Sequence, residues 1–282
     1  MKSLLDNINK NNIIFEPFPH LDIKNALPED LHKKLLAELP KEEDLKKLYD
    51  FSKKKPESAI QLDIDFLESH GYKVPLLKEF SKLHSGPDFS RKIFEIFSEL
   101  IHERFGKFKK ELTESFPNSL FVNTSNTTVS DLSKNTFIRG AHLDAASDIG
   151  VFLFYLKPSF TEIEGGNLEL YKFKSRFRGF RRDIWWDERE ISKKHIIKSK
   201  EITYESNRFI FLLDGIDSIH GVSEMNLIKG LRYRVSGGIS TPTKHLHYDY
   251  KEYLTKFEKL KDFIGIYSQK ILRKKIKLFN SN

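Results

Sequence analysis

The chain has 282 residues, 39% of them hydrophobic and 24 of them Phe, a composition that excludes a disordered chain and supplies core for one large domain or two small ones. It has no cysteine, which rules out disulfides and thiolate metal sites, and no apolar run approaches the ~20 residues of a membrane helix. Lys and Arg number 48 against 40 Asp and Glu, a net charge of +8 that permits an anionic partner without naming one.

The opening MKSLLDNINKNN has no apolar h-region, so no signal peptide is expected and the cytoplasm is the simplest compartment. The next stretch, IIFEPFPHLDIKNALPEDLHKKLLAELP, predicts a short strand followed by a helix. Pro28 suits the first helical turn, Glu29 and Asp30 favour its positive end, and Pro40 stops it. Leu31, Leu35 and Leu39 repeat at helical spacing and form a buried face. Between residues 87 and 115 the pattern is again helical, with Phe89, Ile93, Ile96, Phe97, Leu100, Ile101 and Phe105 along one side.

The texture then changes. SLFVNT, VFLFYL, NLELYKF, RFIFLLD and LRYRVSGGI are short, β-branched or aromatic, and bounded by Gly, Asn, Asp or Ser. Strands without helices between them imply an antiparallel sandwich or barrel. From Tyr250 a helical stripe returns through Leu254, Phe257, Leu260, Ile264, Tyr267 and Ile271. The expected architecture is one domain over 1–282, mainly β with flanking helices: helical support over 1–115, a jelly-roll core over 116–245 and a C-terminal helix over 246–282. Basic residues gather in the segment 172–190 and in the tail ILRKKIKLF. Asp183, Asp187, Glu188 and Glu190 interrupt the first cluster, which disfavours a nucleic-acid stripe.

Three His-x-Asp triplets occur: His20-Leu-Asp22, His142-Leu-Asp144 and His247-Tyr-Asp249. With ten histidines and 40 acidic residues one or two matches are expected by chance, so context decides. On a strand, residues i and i+2 share a face, so His142 and Asp144 can offer an imidazole and a carboxylate to one ion. His220, after the apolar run and polar turn of FIFLLDGIDSIHGVS, is the best third ligand from a distant strand. Two imidazoles and a carboxylate with open positions form the facial triad of non-haem Fe(II) oxygenases. A hairpin from SIHGV into GLRYRVSGG would return Arg232 or Arg234 as a carboxylate-binding fork.

These pieces, in this order, resemble the Fe(II)/2-oxoglutarate-dependent dioxygenases, in their prolyl-4-hydroxylase-like branch. PFPHLDIKNALPEDLHKKLLAELP resembles the family's opening strand and helix, GAHLDAAS its first ligand block, and VFLFYLKPSFTEIEGGNLELY the strands that follow. NRFIFLLDGIDSIHGVS resembles its distal-histidine strand and GLRYRVSGG its cosubstrate-arginine strand. The resemblance spans roughly residues 15–40 and 118–240 and implies a double-stranded β-helix core. It implies His142, Asp144 and His220 as iron ligands and Arg232, in its Gly-x-Arg-Tyr setting, as the partner of the 2-oxoglutarate tail. Arg234 with Ser236 is the rival, since Arg-x-Ser occurs elsewhere in the superfamily. Implied partners are Fe(II), 2-oxoglutarate, dioxygen, ascorbate as a candidate reductant, and a substrate whose C–H bond is hydroxylated. A peptidyl proline, an amino acid, a sugar and a small metabolite all stay open as that substrate. No position is assigned to the family's cosubstrate tyrosine, and the segment 172–200 departs from a minimal barrel. The alternatives are a non-catalytic jelly-roll module for a carbohydrate or anionic ligand, and a metal-dependent cupin of other chemistry.

Overall fold

The computed structural model of the chain describes residues 1–41, 43–44, 60–62, 64–105, 121–122, 126–129, 140–144, 148–174, 191, 193–215, 217–240 and 260. The C-terminal helix expected over 246–282 falls outside these residues except at Leu260. Trp185, Trp186, His245, His247 and Asp249 lie outside them too. No helix among the described residues is long and apolar enough to cross a membrane.

Strand β1 (His20–Lys24) leads into helix α1 (Glu29–Ala37). Pro28 is the N-cap rather than the first helical residue, because its ψ of 139° is still extended. Glu29 and Asp30 stand in the first turn, where the helix dipole favours them. Leu35 and Leu39 are buried as their spacing predicts. Helices α2 (Ile64–Ser69), α3 (Pro75–His84), α4 (Pro87–Ile96) and α5 (Ser98–Phe105) follow. Two of them, α3 and α4, open on a proline, whose missing N–H has no helical partner to lose. Glu38 at the end of α1 reaches across to α3 and accepts from the Leu76 and Leu77 N–H groups at 3.0 and 2.8 Å, which ties the two helices together. The periodic stretch that begins at residue 87 is two helices rather than one. Phe97 leaves the helical range (φ −101°, ψ 17°) while its ring stays fully buried.

The other strands are β2 (Ile60–Leu62), β3 (Phe121–Val122), β4 (Asn126–Val129), β5 (Asp148–Tyr155), β6 (Glu162–Gly165), β7 (Leu168–Phe173), β8 (Ile196–Ile202), β9 (Arg208–Leu213), β10 (His220–Val222), β11 (Met225–Lys229) and β12 (Tyr233–Ser240). All pairings among the described residues are antiparallel. The large sheet runs β1-β9-β5-β12-β4-β2 with β3 beside β12; a second sheet runs β10-β7-β8; β6 and β11 pair with each other.

Alternation along β5 and β9 shows why both strands read as unbroken apolar runs. Phe152, Phe154, Phe209 and Phe211 face the helices, where Phe89 packs on Phe152, Phe80 on Phe154 and Phe97 on Phe211 at ring separations of 5.2–5.4 Å. Val151, Leu153, Tyr155, Ile210 and Leu212 face the other way, onto Leu168, Leu170 and Ile202 of the second sheet. Strands buried on both faces lose the polar alternation of a surface strand. Each such ring or aliphatic side chain contributes roughly 1.5–3 kcal/mol, so the helical layer and the second sheet are each held by tens of kcal/mol before chain entropy is subtracted.

Candidate metal centre

His142 and His220 come from segments far apart in the chain that meet backbone to backbone. The His142 N–H donates to the His220 carbonyl at 2.8 Å and the His220 N–H to the His142 carbonyl at 3.0 Å. Strand alternation then divides the side chains. Ala141, Leu143 and Ile219 turn outward into a small apolar cluster with Tyr171, Ile191 and Ile196. The residues between them, His142, Asp144 and His220, turn to the opposite face. His220 pairs with Leu170 in register, and paired residues share a face, so its imidazole looks into the space between the two sheets. Gly221 makes this meeting possible: a Cβ there would stand 3.0 Å from the backbone of Gly140 and Ala141.

The three side chains converge. One ligand atom from each lies within 4.8 Å of the others. His142 Nε2 is 3.6 Å from Asp144 Oδ1, His220 Nε2 is 3.4 Å from Asp144 Oδ2, and the two rings are 4.4 Å apart. Each Nδ1 is engaged elsewhere, His142 with the Gly140 carbonyl at 2.7 Å and His220 with the Ser218 carbonyl at 3.0 Å. A carbonyl only accepts, so each Nδ1 donates its hydrogen there, and a neutral imidazole so held turns its Nε2 lone pair toward Asp144. Two imidazole nitrogens and a carboxylate facing one another form a group that could hold a cation. Backbone carbonyls that fix tautomer and ring orientation are the usual outer support of a metal-bound histidine. The neutral-nitrogen and oxygen donor set, with no thiolate, suits a divalent first-row metal such as Fe(II).

The hairpin expected from His220 into the arginine strand is not formed. β10 belongs to the second sheet and β12 to the large one, and β11 between them pairs with β6. The arginines still reach the interior, but from the facing sheet. Tyr233, Val235 and Ile239 of β12 pack toward the helices, so Arg234 and Ser236 lie on the opposite face, level with Tyr155 and Leu153 of β5. Arg232, just ahead of β12, is 1% exposed. Its guanidinium lies 4.6 Å from the Tyr204 ring and 5.4 Å from the Tyr155 ring and donates from Nη2 to the Gly166 carbonyl at 2.9 Å. It makes no ion pair with any described carboxylate, and its Nε is buried without a partner. The Tyr155 hydroxyl beside it is also buried and unpartnered. Burial pushes that phenol's pKa up, and the charges of Arg232, Arg234 and Arg208 pull it back down. Tyr204 is different: its hydroxyl donates to the Tyr233 carbonyl and accepts from the Tyr233 N–H, both at 2.9 Å. A fully buried cation paired with no carboxylate among the described residues, next to an unsatisfied hydroxyl, fits a carboxylate guest.

Two further residues near the centre escaped the sequence reading. Tyr155 sits inside VFLFYL, where its hydroxyl is one polar atom in an apolar run. Asp214 directly follows β9 and is 3% exposed. Burial first, and the charge of Asp144 second, push its carboxyl well above the usual carboxylate range. Of the other triplets, His20 and Asp22 are engaged elsewhere: Asp22 with Arg208 at 2.7 and 2.9 Å, and His20 Nε2 with Lys200 at 3.0 Å.

No family model matches the chain, and no curated protein matches it. Solved structures do. A prolyl-4-hydroxylase from Pseudomonas putida is 13% identical over 79% of this chain and 93% of that one, with a TM-score of 0.40. A prolyl hydroxylase from Trichoplax adhaerens, in complex with a hypoxia inducible factor peptide fragment, is 12% identical over 84% and 89%, with a TM-score of 0.41. A prolyl 4-hydroxylase from Phytophthora capsici is 15% identical over 93% and 69%, with a TM-score of 0.43. The chain is thus similar, loosely, to prolyl hydroxylases.

Proposed function

We propose that this chain is an Fe(II)- and 2-oxoglutarate-dependent oxygenase that hydroxylates an unactivated C–H bond. The observation that carries the reading is the convergence of His142 Nε2, the Asp144 carboxylate and His220 Nε2 with both Nδ1 atoms already tied to carbonyls. The proposed fold is a double-stranded β-helix. Counting β4, the His142 bridge, β5, β7, β8, β9, β10 and β12 as one to eight, the sheets run 1-8-3-6 and 2-7-4-5, the order produced when a folded-over pair of Greek keys wraps into two sheets.

In this reading His142, Asp144 and His220 would hold the iron, which when bound would supply coordination positions for the keto acid and dioxygen. Arg232 takes the far carboxylate of 2-oxoglutarate, and Tyr155 donates its hydroxyl to the same group; Arg234 and Ser236, on the interior face of β12, are the rival pair. Val151, Leu153, Ile210 and Leu212 line the interior around this path and exclude water from it. Retention of Asp144 favours hydroxylation over halogenation, which would need that ligand position for halide. A peptidyl proline, an amino acid, a sugar or a small metabolite would each suit the chemistry as substrate.

The test is thermal unfolding of the metal-free protein with Fe(II), with 2-oxoglutarate, and with both under anaerobic conditions, followed by admission of air and assay of succinate. Saturation at ~100 Kd adds about 2.7 kcal/mol, a rise of several degrees in midpoint. The reading expects 2-oxoglutarate to stabilise only when Fe(II) is present, and succinate to form only in the complete mixture. Stabilisation by 2-oxoglutarate that ignores iron, with no succinate, would instead favour a binding module.

A further inference from the structure

The distal histidine depends for its aim on a short turn, and that turn is gripped from the helical layer. His220 Nδ1 donates to the Ser218 carbonyl, so whatever places residue 218 also places the Nε2 lone pair. The turn begins at Asp214, whose Oδ1 accepts from the Gly215 N–H at 2.8 Å and meets Ser218 Oγ at 2.5 Å. Ser218 Oγ lies 2.8 Å from the Gly215 carbonyl as well, and it accepts from the Gly215 N–H at 3.1 Å. The hydroxyl has one hydrogen for two acceptors.

Arg104 of α5 joins this turn to the helical layer. Its Nη1 donates to the Asp214 carbonyl at 2.8 Å, and its Nη2 pairs with Asp217 Oδ1 at 3.3 Å, so one guanidinium spans both ends of the turn. Gly215 makes room for it: a Cβ there would stand 2.1 Å from Arg104 Nη1 and 3.1 Å from its Cζ. No positive φ accompanies Gly215, so the glycine answers to the arginine rather than to the backbone.

We infer that Arg104 is a positioning residue for the metal centre, acting through the 214–218 turn to hold the Ser218 carbonyl that orients His220. The helical layer then does more than cover the large sheet: it sets one of the three ligands. This inference rests on the metal reading of His142, Asp144 and His220.

The test is titration of the metal-free full chain with Co(II), well below its unfolding temperature, recording affinity and the visible ligand-field spectrum. The variants are Arg104→Met, Gly215→Ala and the double variant. Arg104→Met keeps the apolar stem, and Gly215→Ala expels the guanidinium with arginine still in the chain. Each single variant should weaken Co(II) by on the order of 10-fold, the low end of what loss of a ligand-orienting partner costs, and should alter the spectrum. Because both remove the same contact, the double variant should be no weaker than the worse single. A loss of unfolding midpoint with unchanged affinity and spectrum overturns the inference, as do additive effects. If a single variant fails to fold, Asp217→Asn removes half the grip at a more exposed position and should shift the spectrum in the same direction; no shift there overturns it too. Failure of the wild-type chain to bind Co(II) overturns the metal reading and the inference together. Binding by the wild type that His142→Ala abolishes, with the Arg104 and Gly215 variants indistinguishable from wild type, overturns the inference alone.

Discussion

The tripeptide His-Leu-Asp occurs twice in this chain, and its two copies have opposite fates. In β1, His20 and Asp22 share a face, as strand geometry requires, but that face meets cations. Asp22 is clamped by both arms of Arg208 and lies 3.5 Å from Lys200, and His20 Nε2 accepts from the Lys200 amine. Burial alone would raise the Asp22 pKa, but the Arg208 hydrogen bonds and charge outweigh it, so the carboxyl titrates below its ordinary range. Burial drives the His20 pKa down, and Lys200 adds to the effect. In the second copy, Asp144 meets two imidazole lone pairs instead. The first arrangement is internally neutralised and clips β8 to β1, joining the edges of the two sheets. The second is a group that could hold a cation. The motif is the same in both copies. What differs is the charge of the neighbour that the fold brings up to it.

The largest effect should come from removing a ligand. His142→Ala, Asp144→Ala or His220→Ala should weaken Co(II) or Fe(II) by more than the ~10–100-fold that an outer partner is worth, whereas His20→Ala should leave metal affinity unchanged. Isothermal titration of the four variants decides this, and equal losses at His20 and His142 would erase the distinction between the copies. Next, Arg232→Ala should raise the 2-oxoglutarate requirement by ~30- to 1000-fold, about 2–4 kcal/mol for a charge-assisted bidentate pair. A loss confined to Arg234→Ala would move the cosubstrate site one pleat along β12.

Asp22→Ala should cost about 3 kcal/mol of stability, the low end for breaking a buried pair, because Glu205 stays 3.1 Å from Arg208. Urea denaturation measures it, and metal affinity should not change. The smallest effect concerns a third kind of buried histidine. His84 Nε2 accepts from the Leu4 N–H at 3.0 Å and its Nδ1 donates to the Phe80 carbonyl at 2.7 Å, so the neutral ring staples the N-terminal segment to α3. Burial lowers its pKa to about 4 from 6.5. Between those values the unfolded chain binds the proton and the folded one does not. Its stabilising share is therefore full above pH ~6.5, falls as the pH drops toward ~4, and amounts to about 2–3 kcal/mol. Denaturation at pH 7 and pH 4.5 should show that loss, and His84→Gln should reduce the difference.

Much of the architecture was legible in the residues. β5, β7, β9 and β12 announce themselves as apolar runs, and α1 and α4 by period and proline. β8, IIKSKEI, did not: its middle is charged, because Lys198 and Glu201 face water while Lys200 reaches across to β1. β6 and β11 are short and, among the described residues, pair with each other alone, which leaves little room for a core pattern. At the centre, His142, Asp144 and His220 could be named as candidates by spacing, while Tyr155 and Asp214 could not. A hydroxyl in an apolar run and an acid at a strand's end carry no periodic signature, and both matter only through what surrounds them.

The sequence by itself determined which segments must be buried, and which side chains share a face, since periods of 2.0 and 3.6 are properties of the backbone. It also excluded thiolate as a metal donor. Only the tertiary structure decided which His-Leu-Asp would meet lysine and arginine and which a second histidine, and that the arginine strand faces His220 from the opposite sheet. Charge and lone-pair interactions act through space over a few ångströms, and residues that near one another here, such as Asp22 and Arg208, stand 186 positions apart along the chain.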